Sequence, residues 1–390
     1  MSGLFSELAI SKMVLRNRFV LPAMQRGMAV RYTPTPQLID YYHRIARGGA
    51  ALVITESIAI DHPTSTGHDG FVMMIDDSRA QPWTTLIQGV KAEGAHILVQ
   101  LNHNGACRVE NSGGPRPDLP SLSPSGLMRA GQANGRAATR AELAEIRDGY
   151  VSSALAARRF GADGVEVHCA HGYLLDQFLW HETNLRTDDY GGATIAERAR
   201  FPAEVIRAIR AATDDDFVIS VRFSQWKEVD YDAKIVDSPE ELGAMIKVLR
   251  DAGADLFHAS TRRFYKPEWP GSTLNLAGWA RTLTDAPVIT VGSVGVTIDI
   301  MDTIYSEKPV DSDTERAILT LESMFEEGQF DLVAVGRSMM ADPDWVSKIQ
   351  QRAFDAVIPF RRELVRQSLQ EWDDSVIRSS SLAHGSESAN

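Results

Sequence analysis

Residues 163–179 read DGVEVHCAHGYLLDQFL, and this stretch decides how the chain is interpreted. Residues 165–167 predict a short strand that ends at the polar residue His168. Positions three apart on a continuing strand point to opposite faces, so His168 and His171 can share one site only if the chain leaves the strand at His168. Tyr173 would then join them at the carboxyl end of that strand. Two imidazoles and a phenol can bind an oxygen atom that gains negative charge during a reaction, and they can donate a proton to a neighbouring atom.

Taken alone, these side chains leave three interpretations open. The two histidines can be structural residues whose hydrogen bonds are satisfied by the protein. His168, Cys169 and His171 could also ligate a metal ion. The third interpretation is a catalytic pair, and the rest of the chain has to distinguish among the three.

The amino-acid composition limits the classes of protein to which the chain can belong. The chain has 390 residues, of which 44% are hydrophobic and 24% charged, enough for one large domain or two ordinary ones. A net charge of -12 argues against a nucleic-acid partner. Two cysteines exclude a disulfide framework and a four-thiolate iron–sulfur cluster. No apolar run of membrane-spanning length and no secretory signal pattern is seen, so we expect a cytoplasmic protein with no membrane partner and leave a homo-oligomer open.

Eight apolar runs alternate with helical segments along most of the chain, which predicts an α/β fold, the (β/α)8 TIM barrel. The runs are apolar throughout, as expected for parallel strands buried on both faces. A doubly wound sheet is the alternative, but no Gly-x-Gly-x-x-Gly follows the first run. The predicted strands are 19–24, 51–55, 96–101, 165–167, 217–223, 256–259, 287–291 and 332–335.

The predicted domain organisation is a single barrel over 1–360 and an extension over 361–390. A short hairpin is expected within 1–17, before the first strand. The Gly- and Pro-rich loop after strand three, 104–138, is too long for a plain connection, so we expect it to cover the barrel mouth or to act in function. The small polar residues 379–390 predict a disordered end.

In this fold, active sites lie at the carboxyl ends of the strands. The predicted strand ends carry amides, hydroxyls, histidines and one arginine, with few carboxylates. That shortage excludes a barrel glycosidase, which needs two facing carboxylates, and argues against a metal-dependent hydrolase, so no metal site is predicted. The residues concerned are Gln25, Ser57, Gln100, Arg222 and Ser260.

Strands seven and eight end in Gly292-Ser293 and Gly336-Arg337. The loops after these strands are the usual phosphate site of the fold, although glycines at turns can also be structural. A phosphorylated ligand is therefore expected, with Arg222 near its other end. Flavin mononucleotide (FMN) fits, because it has a phosphate at one end and a ring that becomes anionic on reduction at the other.

The chain resembles the old yellow enzyme family of FMN-dependent ene-reductases over roughly residues 4–356. The motifs that carry the resemblance are NRFVLPAM at 17–24, ITES at 54–57, QLNHNG at 100–105, GVEVHCAHGYLLDQFL at 164–179, NLRTDDYGG at 184–192, ERARF at 197–201 and VGR at 335–337.

The resemblance implies a role for each matching residue. It implies that Tyr173 donates a proton to an activated alkene after FMN has been reduced by NADH or NADPH, and that His168 and His171 bind the carbonyl or nitro oxygen of that alkene. It implies that Gln100 and Arg222 hold the pyrimidine side of the flavin. The other implied cofactor-binding residues are Pro22, Ala23, Met24, Gln25, Ser57 through its backbone N–H, Gly292, Ser293, Gly336 and Arg337.

Two positions depart from the family pattern. Gln25 stands where the family usually has Thr or Cys, and Gly27 stands where some relatives have a tyrosine. Tyr32 or Tyr265 could replace that tyrosine, and Tyr265 is taken as a candidate substrate-binding residue. The alternatives are a flavin-dependent dehydrogenase, a nitro- or nitrate-ester reductase, and a non-catalytic barrel that binds a phosphorylated metabolite.

Overall fold

Eight parallel strands close into a barrel in the computed structural model, which describes residues 3–70, 72–299, 302–303 and 310–366. Each strand pairs in parallel with the next, and the eighth pairs with the first through Val333 and Phe19. The ring is complete, which confirms the predicted (β/α)8 barrel. The strands are β1 (Phe19–Leu21), β2 (Leu52–Ile54), β3 (His96–Asn102), β4 (Gly164–His171), β5 (Val218–Lys227), β6 (Leu256–Ser260), β7 (Val288–Val291) and β8 (Leu332–Ala334).

Helices lie between the strands and cover the outside of the barrel. Capping interactions fix where they begin. Thr139 Oγ1 accepts a hydrogen bond from the backbone N–H of Glu142, and the Glu142 carboxylate accepts one from the backbone N–H of Thr139, which forms a capping box. The main helices are α1 (Pro36–Arg47), α2 (Ala80–Ala92), α3 (Arg140–Arg159), α4 (Arg200–Ala212), α5 (Pro239–Asp251), α6 (Leu276–Leu283), α7 (Thr314–Glu326) and α8 (Trp345–Gln350).

Shorter elements complete the described chain. Ile58–Ala59 adds a parallel segment beside β3. The short helices are Leu174–Leu179, Ile195–Arg198, Arg337–Ala341 and Glu363–Arg366, and the 3-10 turns are Gly3–Phe5, Asp77–Arg79, Gly105–Cys107 and Phe354–Ala356.

The N-terminal hairpin closes one end of the barrel. Its strands, Leu8–Ile10 and Met13–Leu15, pair antiparallel as expected. Ile10, Met13 and Leu15 are buried in one cluster with apolar side chains from seven of the barrel strands. The barrel is therefore plugged at its amino end by packed hydrocarbon, and only the carboxyl end is available for a ligand.

The long loop after β3 is folded. It contains the short strands Leu122–Ser123, Leu127–Arg129, Gln132–Ala133 and Arg136–Ala137. The buried guanidinium of Arg108 donates to the carbonyls of Leu119 and Arg116, at 2.7 and 2.5 Å. These bonds give the loop a fixed shape beside the mouth.

Several predicted boundaries were wrong. β4 runs to His171 where the sequence predicted an end at 167, and β5 runs to Lys227 where it predicted 223. Residues 194–213 contain two helices, Ile195–Arg198 and α4, and α6 was not predicted at all. The predicted disordered end, 379–390, lies outside the described residues. None of the helices in the described ranges has the length and apolar character needed to cross a bilayer.

Candidate active site

A cavity of about 410 Å³ opens at the carboxyl end of the barrel. Every residue that the sequence singled out for cofactor or substrate lines it, with the exception of the two candidate tyrosines, Tyr32 and Tyr265. Both apolar surface and convergent polar groups contribute to the wall, as in ordinary cofactor sites. The residues brought together are Pro22, Ala23, Met24, Gln25, Ser57, Gln100, His168, His171, Tyr173, Arg222, Gly292, Ser293, Gly336 and Arg337.

A bulge at the end of β4 places both histidines on the cavity. The pairing register with β5 shifts between Cys169 and His171, and His171 has a φ of 66°. One extra residue reverses the alternation of a strand, so residues three apart come to face the same side. The backbone N–H of His171 donates to the Ser224 hydroxyl at 3.0 Å, which holds this conformation. The chain therefore turns near His171, and the predicted exit from the strand at His168 was wrong.

The two imidazoles and the phenol form a compact group. The ring centroids of His168 and His171 lie 5.1 Å apart, and those of His168 and Tyr173 lie 5.3 Å apart. His171 is also hydrogen-bonded through Nε2 to the Ser260 hydroxyl at 2.8 Å. Its ring packs against Trp226, with centroids 4.4 Å apart. Residues 163–179 therefore place the side chains of His168, His171 and Tyr173 on one wall of the cavity.

A buried ion pair holds the turn that presents Tyr173. Gly172, at a φ of 89°, donates its backbone N–H to Asp176 at 2.6 Å. Asp176 is paired with Lys227 at 2.8 Å, and both side chains are fully buried. Because the pair joins the helix after β4 to the end of β5, it fixes Tyr173 relative to both strands.

Burial sets the protonation states of this group. It lowers the pKa of His168 to about 3, aided by the nearby Arg222 cation, and it lowers the pKa of His171 well below its usual value for the same two reasons. Both imidazoles are therefore neutral near pH 7 and act as hydrogen-bonding groups. Burial and the adjacent Glu228 raise the pKa of Tyr173 well above its usual value, so the phenol carries its proton.

Glu166 is the buried hub beneath the cavity. Its carboxylate accepts hydrogen bonds from Gln100 Nε2 at 2.7 Å, His258 Nδ1 at 2.8 Å and Ser220 Oγ at 3.1 Å. Burial opposes its charge, but His258, the Arg222 cation and the Gln100 bond outweigh that and lower its pKa to about 2. The carboxylate orients the Gln100 amide toward the cavity.

Several buried polar atoms of residues that line the cavity have no hydrogen-bond partner among the described residues. Arg222 donates to the Ala23 carbonyl at 3.2 Å and to the Ser260 hydroxyl at 3.3 Å, but its Nε is buried with no partner among the described residues. The same holds for Ser57 Oγ and His168 Nδ1. Buried polar groups are costly when unpaired. A ligand with several hydrogen-bonding edges, such as a flavin ring with its substrate, fits this set of donors.

A basic corner lies at the other end of the cavity. Arg337 donates to Thr303 Oγ1 at 2.6 Å and to Ser293 Oγ at 2.8 Å, and burial lowers its pKa to about 10, so it is cationic at neutral pH. Arg262 and Arg263 both lie within 4 Å of one carboxylate, Asp299. Three guanidinium groups around one carboxylate leave a positive field that suits a phosphate.

Both glycines of this corner pack closely against other parts of the protein. A Cβ on Gly336 would lie 2.8 Å from the Met24 sulfur, and one on Gly292 would lie 2.7 Å from Thr261 Oγ1 and 2.8 Å from the backbone of Phe264. These contacts support the structural reading of the two glycines. The case for a phosphate at this end rests on the arginines.

Two tyrosines considered from the sequence lie away from the cavity wall. Tyr265 is 51% exposed in the loop after β6, and it does not line the cavity. Tyr32 does not line it either, and it packs under the guanidinium of Arg79. The structure therefore gives neither residue the place that the sequence suggested.

Sequence reasoning also missed residues of the wall, among them Trp226 and Glu228. Both belong to the stretch after Phe223, where the sequence ended strand five too early. The signal that could have found them is the aromatic residue of Ser224-Gln-Trp-Lys, which continues the strand pattern beyond Arg222. Among the described residues, no group of three or more His, Cys, Asp or Glu side chains is placed to hold a metal ion.

The chain is similar to a family of known proteins, to curated relatives and to a solved structure. A model of the NADH:flavin oxidoreductase / NADH oxidase family matches residues 3–311. The chain is 33% identical over 362 residues to an NADH oxidase from Thermoanaerobacter brockii, covering 90% of this chain and 51% of that protein. It is 28% identical over 382 residues to a cinnamate reductase from Clostridium sporogenes, covering 91% and 54% respectively. Among solved structures, morphinone reductase in complex with tetrahydroNAD matches with a TM-score of 0.73 and 24% identity, over 97% of this chain and 94% of that chain.

The barrel and its polar mouth form a ligand site of the kind found in barrel enzymes, and the family match covers most of the chain. The chain belongs to the NADH:flavin oxidoreductase / NADH oxidase family. This confirms the family expected from the sequence motifs, a family that uses FMN as cofactor and NAD(P)H as electron donor. The chain spans about half the length of the two curated relatives named above. The likeness to morphinone reductase supports the fold.

Proposed function

We propose that this protein is an ene-reductase that uses FMN and NAD(P)H to reduce alkenes conjugated to a carbonyl or nitro group. The observation that carries the proposal is the group of His168, His171 and Tyr173 at the cavity wall, beside the Arg222 cation. Two of the family relatives are named as reductases of cinnamate and morphinone, which is consistent with this substrate class.

The residues around the ring would bind and orient the cofactor. Arg222, through its unpartnered Nε, and the Gln100 amide, fixed by Glu166, would meet the pyrimidine side of FMN. Arg337, Arg262 and Ser293 would hold the phosphate. When bound, FMN supplies the hydride chemistry, by taking a hydride from NAD(P)H and passing one to the substrate. The predicted role of Gln25 near the ring stays a prediction.

The histidines and the tyrosine would divide the remaining work. The neutral imidazole of His168 would bind the substrate oxygen as negative charge develops on it, through the nitrogen that has no partner among the described residues. Tyr173, whose raised pKa keeps its proton on the phenol, would donate that proton to the alkene carbon next to the activating group. Trp226 forms an apolar wall beside this position.

The two half-reactions test the proposal separately. In anaerobic stopped-flow experiments, the Tyr173→Phe holoenzyme should be reduced by NAD(P)H within about twofold of the wild-type rate. Its reoxidation by an enone should slow by a factor of about 10² or more, the usual contribution of a positioned acid. Equal losses in both half-reactions, or no loss in either, would remove Tyr173 from this role.

A further inference from the structure

Glu228 stands beside the phenol of Tyr173 and reaches solvent. Tyr173 Oη donates to Glu228 Oε2 at 3.1 Å. Glu228 is exposed, and it is the one carboxylate among the described residues that line the cavity. Its backbone N–H donates to the His171 carbonyl at 3.1 Å, so it is tied to the same turn that presents Tyr173. A carboxyl group therefore bridges water and the proton donor assigned above.

A tyrosine that gives up its proton once per turnover needs another. The phenolate left behind would be half-buried next to a carboxylate, which is an unfavourable pair of like charges. It must be neutralised before the next substrate can be protonated.

The other groups near Tyr173 do not supply this proton. The imidazole of His168 is neutral, because burial lowers its pKa to about 3. Lys227 is fully buried and engaged with Asp176. The Cys107 thiol donates to the Gly172 carbonyl at 3.2 Å, and burial raises its pKa to about 12. Arg222 does not deprotonate in proteins. Glu228 is the remaining group with both a bond to the phenol and contact with water.

We infer that Glu228 is a proton relay that returns a proton from solvent to Tyr173 after each turnover, an inference that rests on the proposed function. The phenolic O–H bond breaks as its proton forms the new C–H bond of the product. Once the phenolate stands beside it, the Glu228 carboxylate takes a proton from water. The new O–H bond of Glu228 then breaks as that proton re-forms the phenol, and Glu228 returns to the carboxylate form. No electrons move in the relay, since both electrons reach the substrate with the hydride.

The test compares first and later turnovers of a variant that keeps the size of the side chain but cannot carry the proton, Glu228→Gln. Tyr173 is protonated at the start, so the first reoxidation of NAD(P)H-reduced holoenzyme by an enone should stay within about threefold of wild type. Steady-state enone reduction should fall by about tenfold or more, as expected when an acid is removed. In Glu228→Ala, added formate or acetate buffer should restore at least part of the steady-state rate.

A matched control separates the relay from a general surface-charge effect. Glu145 is exposed on α3 away from the cavity, and Glu145→Gln should leave both rates unchanged. FMN content and flavin reduction by NAD(P)H should match wild type in all variants, which shows that the fold is intact.

Two results would overturn the relay. One is a wild-type steady-state rate in Glu228→Gln. The other is a first turnover slowed as much as the steady state, which would make Glu228 a residue that only positions Tyr173. If Tyr173→Phe reoxidises at the wild-type rate, the proposed function loses its donor, whereas a slow Tyr173→Phe with an unaffected Glu228→Gln removes the relay alone.

Discussion

Replacing Glu166 with glutamine tests the hub on which the cavity wall depends. The substitution keeps the size and shape of the side chain and removes one charge from a fully buried position. The carboxylate accepts hydrogen bonds from Gln100, His258 and Ser220. A glutamine amide accepts through one oxygen where the carboxylate accepts through two, so at least one of the three donors loses its charged acceptor.

The size of the effect follows from these contacts. A hydrogen bond to a charged group contributes about 1.5–3 kcal/mol, and removing one partner of a buried charged network costs about 3–5 kcal/mol. We therefore expect Glu166→Gln to lower the free energy of unfolding by about 3–5 kcal/mol. FMN affinity should fall as well, because Gln100 loses the group that orients its amide and Arg222 loses a nearby opposite charge.

Urea denaturation of FMN-saturated protein, followed by circular dichroism at pH 7, measures the first effect. The exposed control Glu145→Gln should change stability by less than about 0.5 kcal/mol. The pH dependence gives a second check. Because the folded pKa of Glu166 is about 2, below its ordinary value of 4.5, its contribution is present above pH 4.5 and is lost as pH falls toward 2. The difference in the free energy of unfolding between wild type and variant should decrease as the pH falls from 4.5 toward 2. A loss below about 1 kcal/mol at pH 7, or a gap independent of pH, would refute the reasoning.

Three further predictions concern the same wall. The pKa of His168 is about 3 in the folded protein, against an ordinary value of 6.5, so this residue lowers the free energy of unfolding by about 1.4 kcal/mol for each pH unit below 6.5. His168→Asn should therefore flatten the dependence of the free energy of unfolding on pH between pH 6.5 and 3. An unchanged slope would argue against a buried neutral imidazole. Lys227→Met should cost about 3–5 kcal/mol in urea denaturation because it leaves Asp176 buried without its cation, whereas a change under 1 kcal/mol would show that the pair does not hold the turn. Trp226→Ala should raise the enone KM by about 2- to 12-fold, because it removes an aromatic side chain whose contact is worth about 0.5–1.5 kcal/mol, and it should leave flavin reduction unchanged. A KM at the wild-type value would show that Trp226 does not contact the substrate.

The fold could be predicted because parallel barrel strands are buried on both faces. Their apolar runs are visible without knowledge of tertiary contacts, and their polar ends mark the functional rim. α6 escaped prediction because eight residues, LAGWARTL, are too few to establish a helical period.

Local geometry at the rim was harder to predict because it depends on long-range contacts. The bulge before His171 is stabilised by Ser224, which is 53 residues away in the sequence. Without that contact, an early exit from the strand is the only way to bring His168 and His171 together. β5 was also ended early, although Trp226 continues its strand pattern in the sequence. What the sequence could not show is that Trp226 and Glu228 line the cavity.

Loop residues were the least predictable part of the site. Tyr265 was a candidate for the substrate pocket because it follows a barrel strand, but its loop leaves it 51% exposed. Gly336 was expected to admit a phosphate, and the structure shows that its missing Cβ makes room for Met24. In both cases the residue type was informative, and its neighbours could be known only from the fold.

Titration of flavin-free protein with FMN measures whether the donors gathered at the barrel mouth hold a flavin. We expect one FMN per chain with a perturbed visible spectrum, and affinity at least about tenfold weaker in Arg222→Met, which removes the cation facing the ring. The absence of FMN uptake by the wild-type protein, or equal affinity in the variant, would contradict that expectation.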